Sequence, residues 1–549
     1  MFHLATAFLV FAATFSRPME RVTSLDPAQA RSIYDAHAIG LLYEMPLAID
    51  YKARPYRIVP GFCELPEVSS DGLVYTFRVA RTNATLAAQD VVRSLESLRD
   101  PGVVSPNGWI LKDVDTISAP DARTVVVTLK RRCHFFPWLM TMPATAVRRP
   151  ARLGTDPIGG VGTDPSRCLG TDPGGVGTDP IGGVGTDPIC DIGTGHYLLK
   201  SWRKNHEMVF ERRRSFDAGV ATTTKSFASG APSPARGFDT IRYLVIDDVS
   251  TQWLMFLKGE IDFLGEISRD NWDSIVGANG RLDPRLETQG VKLHSIAAID
   301  VLYVGLNMRD PVLGPNRKLR QALNAAFDGE AWEKFYNGRI QRGDGPVPPG
   351  IAGRLTTPFQ YAYDVEKAKR LLAEAGYPGG IDPKTGRRLV LTLSIGRASQ
   401  ESRESAELMA SFYERIGIKM ESDFKTWDAF LKATGEGRVQ MFRMGWVGDY
   451  PDAQNFLQLF YSKNLAPGPN RSAYVNAAFD REYEAALAAT TDAERNERWL
   501  RCQEILREDC PWIFTHYNKA YSLTRSNVGN YVPTDFPYGV EQFYENVVP

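Results

Sequence analysis

Two hydrophobic periods take turns along almost the whole chain, and no linker-like stretch sorts them into blocks. Residues 75–79 (Tyr-Thr-Phe-Arg-Val) and 124–129 (Thr-Val-Val-Val-Thr-Leu) have the β-branched, period-2 character of strands. Between them, Val91, Leu95 and Leu98 share one face of a helix over 88–98. The same exchange recurs downstream. Strand patterns at 209–212, 241–246 and 389–394 are interleaved with helical patterns at 253–259, 316–327, 364–376 and 402–416. In the 316–327 helix Leu319, Ala322, Leu323, Ala326 and Phe327 face one way. Asp364 stands where an N-cap belongs, Gly376 where a left-handed cap belongs, and Pro378 forbids continuation. Thr491 with Glu494 opens a last helix with capping-box spacing. Strands alternating with helices imply α/β lobes, and 549 residues exceed what one core holds.

One segment breaks the pattern. Gly-Thr-Asp-Pro occurs five times, beginning at 154, 162, 170, 177 and 185. The array offers almost nothing apolar to bury, so a surface loop over 154–188 is expected. Its recurring aspartates suggest calcium turns, but known β-roll units are longer and richer in Gly and Asp. A recent tandem duplication fits better.

At the N-terminus, residues 1–16 are short and apolar, followed by Arg17 and Pro18. The expectation for 1–19 is a degraded secretory signal, lacking the usual basic residue before the apolar run. The competing reading is a first β-strand of the folded domain. No later stretch is long and apolar enough to cross a membrane.

Several function classes drop out. Lys+Arg total 64 and Asp+Glu 65, so no basic excess draws the chain to nucleic acid. No Gly-x-Ser-x-Gly or His-Glu-x-x-His occurs, and 378–385 places prolines where a phosphate loop needs glycines. The six cysteines form no Cys-x-x-Cys. Cys502 and Cys510 are near enough in sequence to pair, but isolated buried thiols are expected. The expectation is a non-enzyme without catalytic residues, cofactor or metal site.

A set of ordered segments resembles the family 5 extracytoplasmic solute-binding proteins of ABC importers, the oligopeptide and dipeptide type. The segments are Leu25-Asp-Pro-Ala, Leu42-Tyr-Glu-Met-Pro-Leu, Asp71-Gly-Leu-Val-Tyr-Thr-Phe-Arg, Ile192-Gly-Thr-Gly, Leu319 to Asp328, the 364–376 helix, and Gly445-Trp-Val-Gly-Asp-Tyr-Pro-Asp-Ala-Gln-Asn-Phe. The resemblance implies a periplasmic-binding-protein type II fold, with two α/β lobes and a hinge plus an extra domain in the first lobe. Lobe I would comprise 20–43, 193–269 and 511–549, the extra domain 44–192, and lobe II 270–510. The abbreviated hairpin over 81–87 departs from the family pattern.

The implied function is capture of peptides or similar small solutes in the periplasm, by a monomer that delivers them to ABC permease subunits. A non-peptide solute such as a sugar or metal chelate is the alternative. In peptide-binding relatives the aspartate three residues after the tryptophan pairs with the ligand's α-ammonium; here that is Asp449. Desolvating a cation demands such a partner. Trp446 would line a side-chain pocket, with Tyr450 and Asn455 as weaker neighbours. Arg397 stands about where dipeptide-type relatives hold a carboxylate, without the family's Arg-x-Tyr context, and Arg403 competes with it. Metal- and haem-binding relatives make His196 and His516 conceivable ligands, though satisfied histidines are expected.

Overall fold

The structure is a computed structural model that describes residues 13–80, 87–148, 193–213 and 237–547, apart from 266, 268, 278, 279, 467 and 537. The Gly-Thr-Asp-Pro array, Cys168, Cys190 and the abbreviated 81–86 hairpin lie outside the described residues. The chain forms two compact units, 1–295 with 521–549, and 296–520, so it passes between them twice. Among the described residues no helix is long and apolar enough to cross a membrane.

Unit 1 contains two four-stranded sheets. In the first, strand Thr14–Met19 runs parallel to Thr240–Val245, which continues antiparallel to Glu207–Arg212 and then Tyr197–Arg203. Phe15, Phe210 and Ile241 are fully buried in its core. Residues 14–19, assigned in the sequence reading to a degraded signal, are thus a strand of the folded domain. Phe15 and Met19 supply its buried face. Residues 1–12 lie outside the described residues. The second sheet is antiparallel, ordered Glu67–Val68, Val74–Arg78, Thr124–Leu129, Val114–Ser118. Helix Ala88–Glu96 covers it, with Val91 and Leu95 buried.

A buried ion pair closes unit 1. Arg17 Nη1 donates to Glu541 Oε1 at 2.5 Å, and the Glu541 side chain is fully buried. Burial pushes that carboxyl up. The contribution of His37 and the Arg17 charge outweigh burial and hold it down at about 2.

Unit 2 is built on a mixed sheet. Trp512–Thr524, Asp300–Leu306 and Met441–Val447 are neighbours in antiparallel pairs, followed in parallel by Val390–Ile395 and Lys419–Phe424. Helices Arg317–Ala326, Val365–Glu374 and Gln400–Glu414 pack on one face through Leu319, Leu323, Leu372, Met409 and Phe412. The caps follow local chemistry. Asn316, Asp364 and Thr491 accept from the backbone N–H three residues on, and Gly376 takes φ +91°. Cys502 and Cys510 are separate buried thiols, as are Cys63 and Cys133. Cys510 itself adopts φ 48° as the cap of Asp492–Asp509.

Candidate functional site

Strand Met441–Val447 ends at an open turn that leads into the short helix Ala453–Leu457. The sequence 449–452 is good turn chemistry, but its two aspartates divide the work. Asp452 caps the helix, its carboxylate accepting from Gln454 N at 2.8 Å. Asp449 is left for something else.

Asn455 organises the turn. It is fully buried, and its amide oxygen accepts from Trp446 Nε1 at 2.8 Å and from Asp449 N at 3.2 Å. Its Nδ2 donates to Asp449 Oδ2 at 3.0 Å. One amide therefore sets the indole, the backbone and the carboxylate together. Burial pushes the Asp449 carboxyl up, and the Asn455 hydrogen bond only partly offsets this. Among the described residues no cation forms an ion pair with it. A largely desolvated carboxylate held by one neutral donor is an uncompensated anion.

The other expected residues separate. Tyr450 is buried and its hydroxyl donates to Gln454 Oε1 at 2.6 Å, with Gln454 in turn donating to Tyr483. Its ring is committed to this internal chain. Arg397 and Arg403 are both exposed. Arg403 lies over the Phe424 ring at 4.7 Å. His516 is buried and its Nδ1 accepts from Trp332 Nε1 at 3.1 Å. His196 rests edge-on against Phe543. Among the described residues no group of three or more His, Cys, Asp or Glu side chains could hold a metal ion.

Two residues escaped the sequence reading. Trp427 is 55% exposed, and its ring abuts Gly396, where a Cβ would meet it at 2.8 Å. Its signal was present, an aromatic one residue after a helix-capping Thr426 position, but Trp is usually core. Arg443 sits within the strand and carried no signal at all, because a charge among Met441, Phe442 and Met444 reads as a solvated interruption.

The profile of the bacterial extracellular solute-binding proteins, family 5, middle region, matches residues 57–467. The chain belongs to that family. Among similar proteins, haem-binding protein A of Haemophilus influenzae is 25% identical over 90% of this chain and 85% of its own length. The dipeptide-binding protein of Escherichia coli is 23% identical over 94% and 90%. The solved structure of HbpA2 from Haemophilus parasuis superposes with a TM-score of 0.78 at 21% identity, covering 97% of this chain and all of that one. The unliganded open form of the murein tripeptide-binding protein MppA gives 0.76 at 21% identity, covering 97% of each. The fold is accordingly that of a type II periplasmic binding protein, and the chain is a solute-binding protein rather than a member of an enzyme family.

Proposed function

We propose that this chain captures a peptide, or a similar solute bearing a free ammonium group, in the periplasm and hands it to ABC permease subunits. Asp449 receives the ammonium. The observation that carries this reading is the largely desolvated Asp449 carboxylate, oriented by Asn455 and lacking an ion-pair partner among the described residues. Relatives named for dipeptides and for glutathione support the solute class. Trp446, fixed by the same Asn455, forms pocket wall, and exposed Trp427 offers a second aromatic surface. The antiparallel sheet of 67–129 with its helix is the proposed extra domain, and the protein acts as a monomer.

Calorimetry with alanine peptides of two to five residues, free or N-acetylated, tests it. Removing one partner of a desolvated charge pair costs about 3–5 kcal/mol, or roughly 10²–10⁴ in affinity. The wild type should reject the acetylated forms by that factor, and Asp449→Asn should nearly erase the difference. Equal binding of both forms by the wild type refutes the ammonium role and turns the search to non-peptide solutes, including haem.

A further inference from the structure

The helix Gly329–Phe335 of unit 2 ends in two consecutive left-handed residues, Asn337 with φ 52° and Gly338 with φ 70°. Asn337 N donates to Lys334 O and Gly338 N to Glu333 O, each at 3.0 Å. The left-handed position just past a helix takes Gly first and Asn next, which accounts for Asn337. The cap thereby sets an asparagine directly before a glycine.

An Asn-Gly step is chemically labile. The following amide nitrogen can attack the asparagine Cγ and expel ammonia, and glycine has no Cβ to obstruct that approach. In a folded chain the step reacts only where the side-chain amide is unbound and the glycine nitrogen can move. Asn337 is exposed, and its side-chain amide makes no hydrogen bond among the described residues. The space around Gly338 is open: a Cβ placed there would meet nothing within 4 Å. The one restraint on Gly338 N is its bond to Glu333 O, at the end of a short helix, where fraying releases it.

The chain has two more Asn-Gly steps, at 107–108 and 279–280, and Asn279 lies outside the described residues. Asn107 is held where Asn337 is not. Its Nδ2 donates to Ala30 O at 2.8 Å and its backbone N to Ser105 Oγ at 3.1 Å. A Cβ on Gly108 would meet Leu98 O at 2.9 Å, so this glycine is enclosed. The dipeptide is the same at both places, and only the tertiary surroundings separate them.

We propose that Asn337 is a site of spontaneous hydrolytic modification, at which deamidation turns a neutral helix cap into an anionic one. Deprotonated Gly338 N attacks Asn337 Cγ. A Cγ–N bond to Gly338 forms, the bond from Cγ to the side-chain nitrogen breaks, and that nitrogen departs as ammonia. Water then opens the cyclic imide. Breaking the new Cγ–N bond yields aspartate; breaking the original peptide bond yields isoaspartate, with the main chain routed through Cγ. In sum, one water is consumed, one ammonia is released and one carboxylate is gained. Cations stand beside the new charge: Lys334 lies in the same turn, and Lys519 Nζ donates to Gly338 O at 3.1 Å. Aspartate keeps the cap, because it shares asparagine's tolerance of left-handed backbone. Isoaspartate adds a main-chain methylene and disrupts the two cap bonds, two residues before the strand Ile340–Arg342 that pairs with Trp512–Thr524.

The test uses the full chain, incubated at mildly alkaline pH, folded and in urea. Peptide mapping by mass spectrometry follows amide-to-acid conversion at each step, and enzymatic methylation of isoaspartyl carboxyls counts the iso form. In the folded protein Asn337 should convert roughly 5–30-fold faster than Asn107, which must first give up a side-chain hydrogen bond and its packing. In urea that gap should close. Gly338→Ala, which adds the obstructing Cβ in open space, should slow Asn337 to the rate of Asn107 or below. Asn337→Gly, which suits the left-handed cap, should melt like the wild type and lose the isoaspartyl signal of this peptide. Absence of conversion at Asn337, or equal rates at Asn337 and Asn107 in the folded protein, overturns the proposal. A gap that persists unchanged in urea overturns it as well, because the selectivity would then belong to the sequence and not to the fold.

Discussion

Changing Asn455 to Asp alters one atom type at the centre of the candidate site and nothing in its shape. The new carboxylate still accepts from Trp446 Nε1 and Asp449 N, now 2.8 and 3.2 Å from the amide oxygen. What is lost is the donor 3.0 Å from Asp449 Oδ2. Two carboxylates then confront each other there. At an effective dielectric of about 20, like charges about 3 Å apart repel by roughly 5–6 kcal/mol. Protonating one is cheaper: from an ordinary carboxyl pKa of about 3.9, it costs roughly 4 kcal/mol at pH 7 and about 1.5 kcal/mol at pH 5. These are upper bounds, because burial already lifts the Asp449 carboxyl. A raised folded-state pKa means that stability is recovered as pH falls through it. Hydrogen exchange of the backbone amides in Met441–Val447 and Ala453–Leu457 reads the local opening free energy. The variant should open more easily than wild type by up to about 4 kcal/mol at pH 7, with the deficit less than half as large at pH 5. A deficit below about 1 kcal/mol at pH 7, or one independent of pH, would mean that Asn455 does not donate to an ionised Asp449.

In unit 1, Glu541→Gln should leave Arg17 buried without its counter-charge and cost about 3–5 kcal/mol in urea unfolding at pH 7. Because the Glu541 pKa is depressed to about 2, its contribution is present above about 4.5 and lost as pH falls through 2. The variant's stability should therefore fall less steeply than wild type over that window; parallel acid limbs would contradict the assignment. A chain beginning at Glu20 lacks the strand Thr14–Met19, buried Phe15 and Arg17 together. Losing about 5 kcal/mol or more should lower the melting temperature of unit 1 by at least ~10 °C relative to a chain beginning at Ala13. Equal melting of the two would show that the strand contributes nothing to the fold.

Much of this protein is local enough to read from its sequence. Asn316, Asp364 and Thr491 cap their helices through hydrogen bonds that span three residues, and the strands at 124–129 and 390–395 carry their period in their own side chains. The ordered motifs led to the family for the same reason, and they put Trp446, Asp449 and Asn455 in one short segment. Residues 14–19 admitted two readings because an apolar run before Arg17 looks alike whether it enters a membrane or a sheet. Its partner strand is more than two hundred residues away, at Thr240–Val245. Arg397 and Arg403, the candidates by position for a ligand carboxylate, are both exposed. Arg443 differs only in what surrounds it: two serines from a helix forty residues earlier, and a histidine brought round by one bulged residue in a strand seventy residues later. Periodicity is a property of neighbours along the chain, and the sequence determined it. Charge compensation is a property of neighbours in space, and only the tertiary structure decided which of the arginines and aspartates had been left without one.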